Sequence, residues 1–208
     1  MLRSILAAGL MLLSIQVSAQ NITHIYDAVR GEFNGDSYSD LAYIIDNPNS
    51  EEYFELVIML STGERHGARY IAAQSNNLIY KVAGKFHSVG EPSLTIRTFA
   101  DGRPDSLNIH AEHYGIGRSK WSQDVVVAYR SGKFVFAGMD YSEYDSLQEY
   151  DPLVCSFNTL SGKKDYQTKA GGKVRGANIQ NADLIRKNIE EIADRDVIEL
   201  VSNECQPN

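Results

Sequence analysis

Within Gly31–Ile45 (GEFNGDSYSDLAYII) oxygen-bearing side chains recur at alternate positions: Glu32, Asn34 and Asp36, then Asp40 after Tyr38. Calcium takes about six to eight oxygen ligands, carboxylates and carbonyls together, from a tightly curving loop. Alternate residues of such a loop point to its interior, so a spacing of two is what the chemistry requires. Glu32, Asn34, Asp36 and Asp40 would supply side-chain oxygens, Tyr38 its backbone carbonyl, and Gly35 room inside the curve. The competing reading is a polar turn in which Asx side chains bond their own backbone. In both readings the apolar run Leu41–Ile45 leaves the loop as a strand and anchors one end.

Other polar clusters fall short of a reaction centre. In His110-Ala111-Glu112-His113 a strand would put His110 and Glu112 on one face and His113 on the other. Two ligands are too few for a zinc site, and a hydrogen-bonded pair on a sheet face is the expectation. Tyr114-Gly-Ile-Gly-Arg-Ser-Lys120 lacks the full glycine spacing of a phosphate loop. No Gly-x-Ser-x-Gly elbow or cysteine–histidine pairing is visible. Asp140, Glu143, Asp145, Glu149 and Asp151 are interleaved with Tyr141, Tyr144 and Tyr150. That stretch reads as a hairpin with a solvated tip around Ser146-Leu147, or as a tyrosine-rich partner surface.

The elements that must position these groups are mainly strands. Leu41–Ile45, Tyr53–Leu60, Ser93–Phe99, Ser106–Glu112, Asp124–Tyr129, Lys133–Met139 and Leu153–Phe157 are short and rich in Val, Ile, Phe and Tyr. Turns at Ala100–Asp105, Arg130–Lys133 and Leu160–Lys163 join them as hairpins, which implies an antiparallel meander. Gly171-Gly172 and the polar residues to Gln180 read as a connector. A helix is expected over about 181–195, capped by Asn181, with Ile185, Ile189, Ile192 and Ala193 as its apolar stripe. The expected fold is mainly β (α+β), an antiparallel meander or sandwich-like sheet with a C-terminal helix, not a closed propeller.

Composition bears on compartment and partners. Arg3 followed by the apolar run Ile5–Leu13 and the small residues Val17-Ser18-Ala19 has the design of a secretory signal peptide over 1–19. That leaves 20–208 as a single β-rich domain, without membrane insertion after cleavage because the apolar run is too short to span. The net charge of −7 offers no basic excess for nucleic acid or an anionic membrane. Cys155 and Cys205 form an even pair, which an oxidising compartment favours as a disulfide; two free thiols are the alternative. Closing a loop of about 50 residues would stabilise the fold by roughly 4 kcal/mol.

The segment Glu32-Phe-Asn-Gly-Asp-Ser-Tyr-Ser-Asp-Leu41 resembles the calcium-loop signature of FG-GAP and VCBS repeats, Asp-x-Asn-x-Asp-Gly-x-x-Asp-Leu. Glu32 replaces the usual Asp, and Ser37 stands where glycine accepts a left-handed turn at a cost to other residues of roughly 1 kcal/mol. Lys120-Trp121-Ser122, Val125–Arg130 and Gly138–Asp145 look similar to uncharacterised exported bacterial proteins with one such loop before a β meander. The resemblance implies a bacterial, periplasmic or secreted protein and a weak structural calcium site, of about 10⁻⁴ to 10⁻³ M affinity. It implies no activity. The resulting expectation is a non-enzymatic protein that binds an unknown protein partner. A periplasmic immunity or inhibitor protein that blocks an envelope-targeted toxin is the alternative, and a hydrolase using Glu112, His110 or the acidic hairpin comes third.

Overall fold

A computed structural model describes residues 24–64, 67–81, 90–114, 118–147, 153–167, 172–192 and 197–205. The signal-peptide segment 1–19 and Tyr150 lie outside the described residues. Two antiparallel sheets make up the fold. The smaller is a four-stranded meander of β1 (Ile25–Gly31), β2 (Asp40–Ile45), β3 (Tyr53–Ser61) and β4 (Arg69–Tyr80). The larger is a seven-stranded meander that runs in sequence from β5 (Ser93–Arg97) through β6 (Ser106–His113), β7 (Ser119–Arg130), β8 (Lys133–Asp145), β9 (Leu153–Asn158) and β10 (Lys163–Gln167) to β11 (Lys173–Asn178). It closes into neither a barrel nor a propeller: among the described strands, β5 and β11 are its edges.

The inner faces of the two sheets share one apolar core. Ala42, Ile44, Leu56, Ile58 and Leu60 enter it from the small sheet, and Leu107, Ile109, Val125, Val127, Phe136 and Met139 from the large one. Tyr80 of β4 meets Trp121 of β7 edge to face, with ring centroids 5.5 Å apart. Buried Gln123 reaches across from β7, its Nε2 donating to the Leu78 carbonyl at 3.2 Å. Such a bond adds direction to a contact that burial alone would leave free to slide.

Strand β8 departs from simple alternation. Phe134 and Phe136 are buried, then Met139 and Tyr141, so the inward parity switches from even to odd. The switch falls where pairing with β7 slips between Val126 and Val127, the signature of a bulge. Gly138 follows it, and a Cβ there would lie 2.6 Å from the Phe157 carbonyl oxygen. A residue without a side chain is therefore what lets β9 approach.

Two expectations are corrected. The connector after Gly172 contains a strand, β11, paired to β10. The helix expected over 181–195 is not continuous. Asn181 does cap, its Oδ1 accepting from Asp183 N at 2.9 Å, but only a 3₁₀ turn, Ala182–Leu184, follows. Ile185 is extended and Arg186 left-handed (φ 52°) before helix α1 (Ile189–Ile192) begins. The cause is tertiary. Buried Phe136 lies where β8 has no β9 partner, and its N–H donates instead to the Lys187 carbonyl at 3.0 Å. Satisfying that buried donor outweighs local helix propensity. Helix α2 (Val197–Cys205) is the last described element, with Val197 and Val201 in the core.

Candidate functional site

The acidic loop is the connection of the β1–β2 hairpin, closed by the pair Gly31 and Asp40. Its side chains are bonded inward to its own backbone. The Glu32 carboxylate accepts from Gly35 N and from Asp36 N (3.0 Å), and Asn34 Oδ1 also accepts from Asp36 N at 3.1 Å. Asn34 Nδ2 donates to one oxygen of Asp36 (2.8 Å), while Tyr38 N donates to the other (2.8 Å). Asp40 is fully buried, and its two oxygens accept from Phe33 N and Ser61 N, each at 2.9 Å. Burial pushes its carboxyl up from the usual value; the two N–H groups pull it back, and Asp36 and Glu32 push it up again. The loop also docks on the other sheet. Glu32 exchanges two bonds with Asp105, N–H to carboxylate at 3.0 Å and carbonyl to N–H at 2.7 Å.

The alternating oxygens thus accept N–H donors from within the loop, and an ionised carboxylate has further lone-pair sites beyond those bonds. Among the described residues no three His, Cys, Asp or Glu side chains form a group able to hold a metal. The turn holds Gly35 at φ 87° and Ser37 left-handed at φ 69°.

A second constellation lies on the solvent face of the large sheet. His110 and Glu112 share that face, and His113 points inward to stack on Trp121 at 6.2 Å between centroids. His110 Nε2 lies 3.1 Å from Glu112 Oε2, and its Nδ1 lies 3.0 Å from Asp124 Oδ1. Asp124 is absent from any local reading of the sequence. It is the β7 residue directly opposite His110, so only strand register reveals it. Burial depresses the imidazole, but the bonds to Glu112 and Asp124 and then the charges of Asp124 and Glu112 outweigh it and hold the imidazolium above its ordinary value of 6.5.

The same rung continues across the sheet as Asp124, Asp140, Ser156 and Asp165, each opposite the next on β7, β8, β9 and β10. It floors a cleft of about 380 Å³, with Ser122, Ser142, Val154 and Gln167 beside it and Lys173 and Arg175 of β11 at the edge. Like charges directly opposite each other destabilise a sheet, and Asp124 and Asp140 are such a pair. The Asp140 carboxylate accepts no hydrogen bond from a described residue. Ser122 and Ser142 bond each other through their hydroxyls at 2.8 Å.

Tyr141 and Tyr144 do not form a common surface. Tyr141 is 3% exposed in the core and bonds Glu143 at 3.0 Å, whereas Tyr144 is 41% exposed and faces solvent. Their spacing accounts for this, because residues three apart on one strand point to opposite faces. Cys155 of β9 and Cys205 of α2 are paired, with Cα atoms 5.8 Å apart, tying the C-terminal helix to the large sheet. Among the described residues no helix is long and apolar enough to cross a membrane. The chain matches no protein-family model, and comparison with curated proteins and with solved structures finds no match either.

Proposed function

We propose that this chain is an exported protein that binds a protein partner without catalysing a reaction, and that the solvent face of its large sheet is the binding surface. The cleft over β7–β11 carries this reading. It combines an acidic floor of Asp124, Asp140 and Asp165 with room for a side chain of a partner, on a chain of net charge −7. Such a field draws basic partners and speeds their encounter. Catalysis is disfavoured by the way the polar groups are used. A general base needs a free lone pair beside the proton it removes. Both His110 nitrogens face carboxylates, and the two serine hydroxyls bond each other. The leader pattern of residues 1–19 and the paired cysteines support export. An acidic face is also what an inhibitor of a basic enzyme needs, so an immunity protein against an envelope-targeted toxin is one form of this function.

The test is affinity capture from the exported fraction with the mature chain and with Asp140→Lys as baits. A basic partner retained by the first and lost by the second supports the proposal; equal retention refutes it. A second reading, weak calcium binding by Glu32, Asn34, Asp36, the Tyr38 carbonyl and Asp40, is favoured by the left-handed turn at Ser37. It predicts a rise in melting temperature at 10 mM calcium (~10⁻² M, well above the weak extracellular range) that Asp36→Ala abolishes. An unchanged melting temperature refutes it.

A further inference from the structure

We propose that His110 is a proton-operated clasp beside the cleft, holding Glu112 and the cleft-lining Asp124 together when charged and releasing one of them when neutral. Its mechanism follows from donor counting. An imidazolium has two N–H donors and a neutral imidazole one. With both ring nitrogens about 3 Å from a carboxylate oxygen, loss of the proton turns one of the two contacts into lone pair against lone pair. Among the described residues Asp124 also takes a long contact from Asn108 Nδ2 at 3.5 Å. Of the two carboxylates, Asp124 is the one that lines the cleft, so loosening the clasp on that side changes the cleft directly.

The surrounding charges act in the same sense. On the face of His110 stand Glu112 and Asn108 on its own strand, Ser122 and Asp124 on β7, and Asp140 beyond Asp124 on β8. Ser93 opposes it on β5, with Thr95 and Arg97 farther along that strand, and Lys120 lies farther along β7. The nearest charges are all negative, so the protonated clasp neutralises part of the acidic floor. Deprotonation restores that charge. On the reading of this face as a binding surface, a basic partner is held more weakly on the acid side of the transition.

The test is an NMR pH titration of the His110 ring nitrogens and of the Asp124 and Ser122 amides in the full mature chain. It is repeated for Asp124→Asn and Glu112→Gln, both isosteric and at partly exposed sites. The expected result is a His110 midpoint above 6.5 that falls in each variant, with the two amides titrating at the same midpoint. A midpoint at or below 6.5, or one that neither variant moves, overturns the clasp. In parallel, a hexalysine peptide is titrated into the protein on either side of that midpoint. Binding about fivefold weaker on the acid side is expected, the effect of one unit charge at ~4 Å in water. Absence of peptide binding at every pH, with the clasp titrating as expected, refutes the binding reading of the face and leaves the clasp intact.

Discussion

Replacing Lys164 by Met should cost the fold several kcal/mol even though the new side chain is apolar and of similar length. Lys164 on β10 and Glu204 on α2 form an ion pair of 2.6 Å, with side chains 10% and 6% exposed. The ammonium also donates to the Glu204 carbonyl at 2.7 Å, and the Glu204 carboxylate accepts from Gln180 N and Asn181 N. Removing one partner of a buried pair strands the other charge, a loss of roughly 3–5 kcal/mol. Two backbone donors remain on Glu204, which places the expected loss near the lower end, at about 3 kcal/mol. For a domain of this size that corresponds to a fall of roughly 6–12 °C in melting temperature. Adding Glu204→Leu should recover only part of it, because the Gln180 and Asn181 N–H groups then lose their acceptor.

The same pair makes a pH prediction. Burial raises the Glu204 carboxyl, but the bond from Lys164 and the two backbone N–H groups outweigh it and hold the group below its ordinary value of 4.5. A depressed carboxyl contributes stability that is fully present above its unfolded-state value and is lost as pH falls through the folded-state one. Urea unfolding from pH 7 downward should therefore show an acid-side loss of stability that is shallower in Lys164→Met. Lys133→Met is the control: its contact with Glu191 is 3.8 Å long with both side chains more than half exposed, and it should change little. Equal costs for the two variants, both under about 1 kcal/mol, would refute the reasoning.

Three further outcomes are expected. Asp40→Asn should cost about 2–3 kcal/mol in urea unfolding, because an amide has one acceptor for the two buried N–H groups of Phe33 and Ser61; exposed Asp36→Ala should cost less than about 1. Gly138→Ala should lower stability by about 1–3 kcal/mol, since its Cβ meets the Phe157 carbonyl and β9 must shift; an unchanged melting temperature would show that β9 does not pack so closely. Replacing Cys155 and Cys205 together by Ala should cost about 4 kcal/mol, read by thermal unfolding under non-reducing conditions.

Hydrophobic alternation made seven of these strands legible, because their inner residues enter the core while their outer ones meet water. It missed β1, β4 and β11 for identifiable reasons, and β10 was implied only by the hairpin turn at Leu160–Lys163. In β4 the inward set includes Ser75 and Asn77, polar residues whose burial is sustained by hydrogen bonds, among them Asn77 to the Ile192 carbonyl at 2.9 Å. Strands β1 and β11 are edges with weak burial on both faces, so their pattern is faint. The helix boundary was set by the distant N–H of Phe136, which no local signal carries. The pairing of His110 with Glu112 was readable from a spacing of two, whereas Asp124 depended on the register of the β6–β7 hairpin. Tyr141 and Tyr144 part because they stand three residues apart on one strand, which turns them to opposite faces; the β8 bulge decides only that Tyr141 is the one facing the core.

The most direct measurement is carbodiimide labelling of surface carboxylates in the mature chain, with and without its captured partner. The account predicts that labelling of Asp140 and Asp165 falls on binding, while that of Asp36 and Asp101 is unchanged. Protection of Asp36 with Asp140 still fully labelled would place the partner elsewhere and contradict the assignment of the large sheet's solvent face.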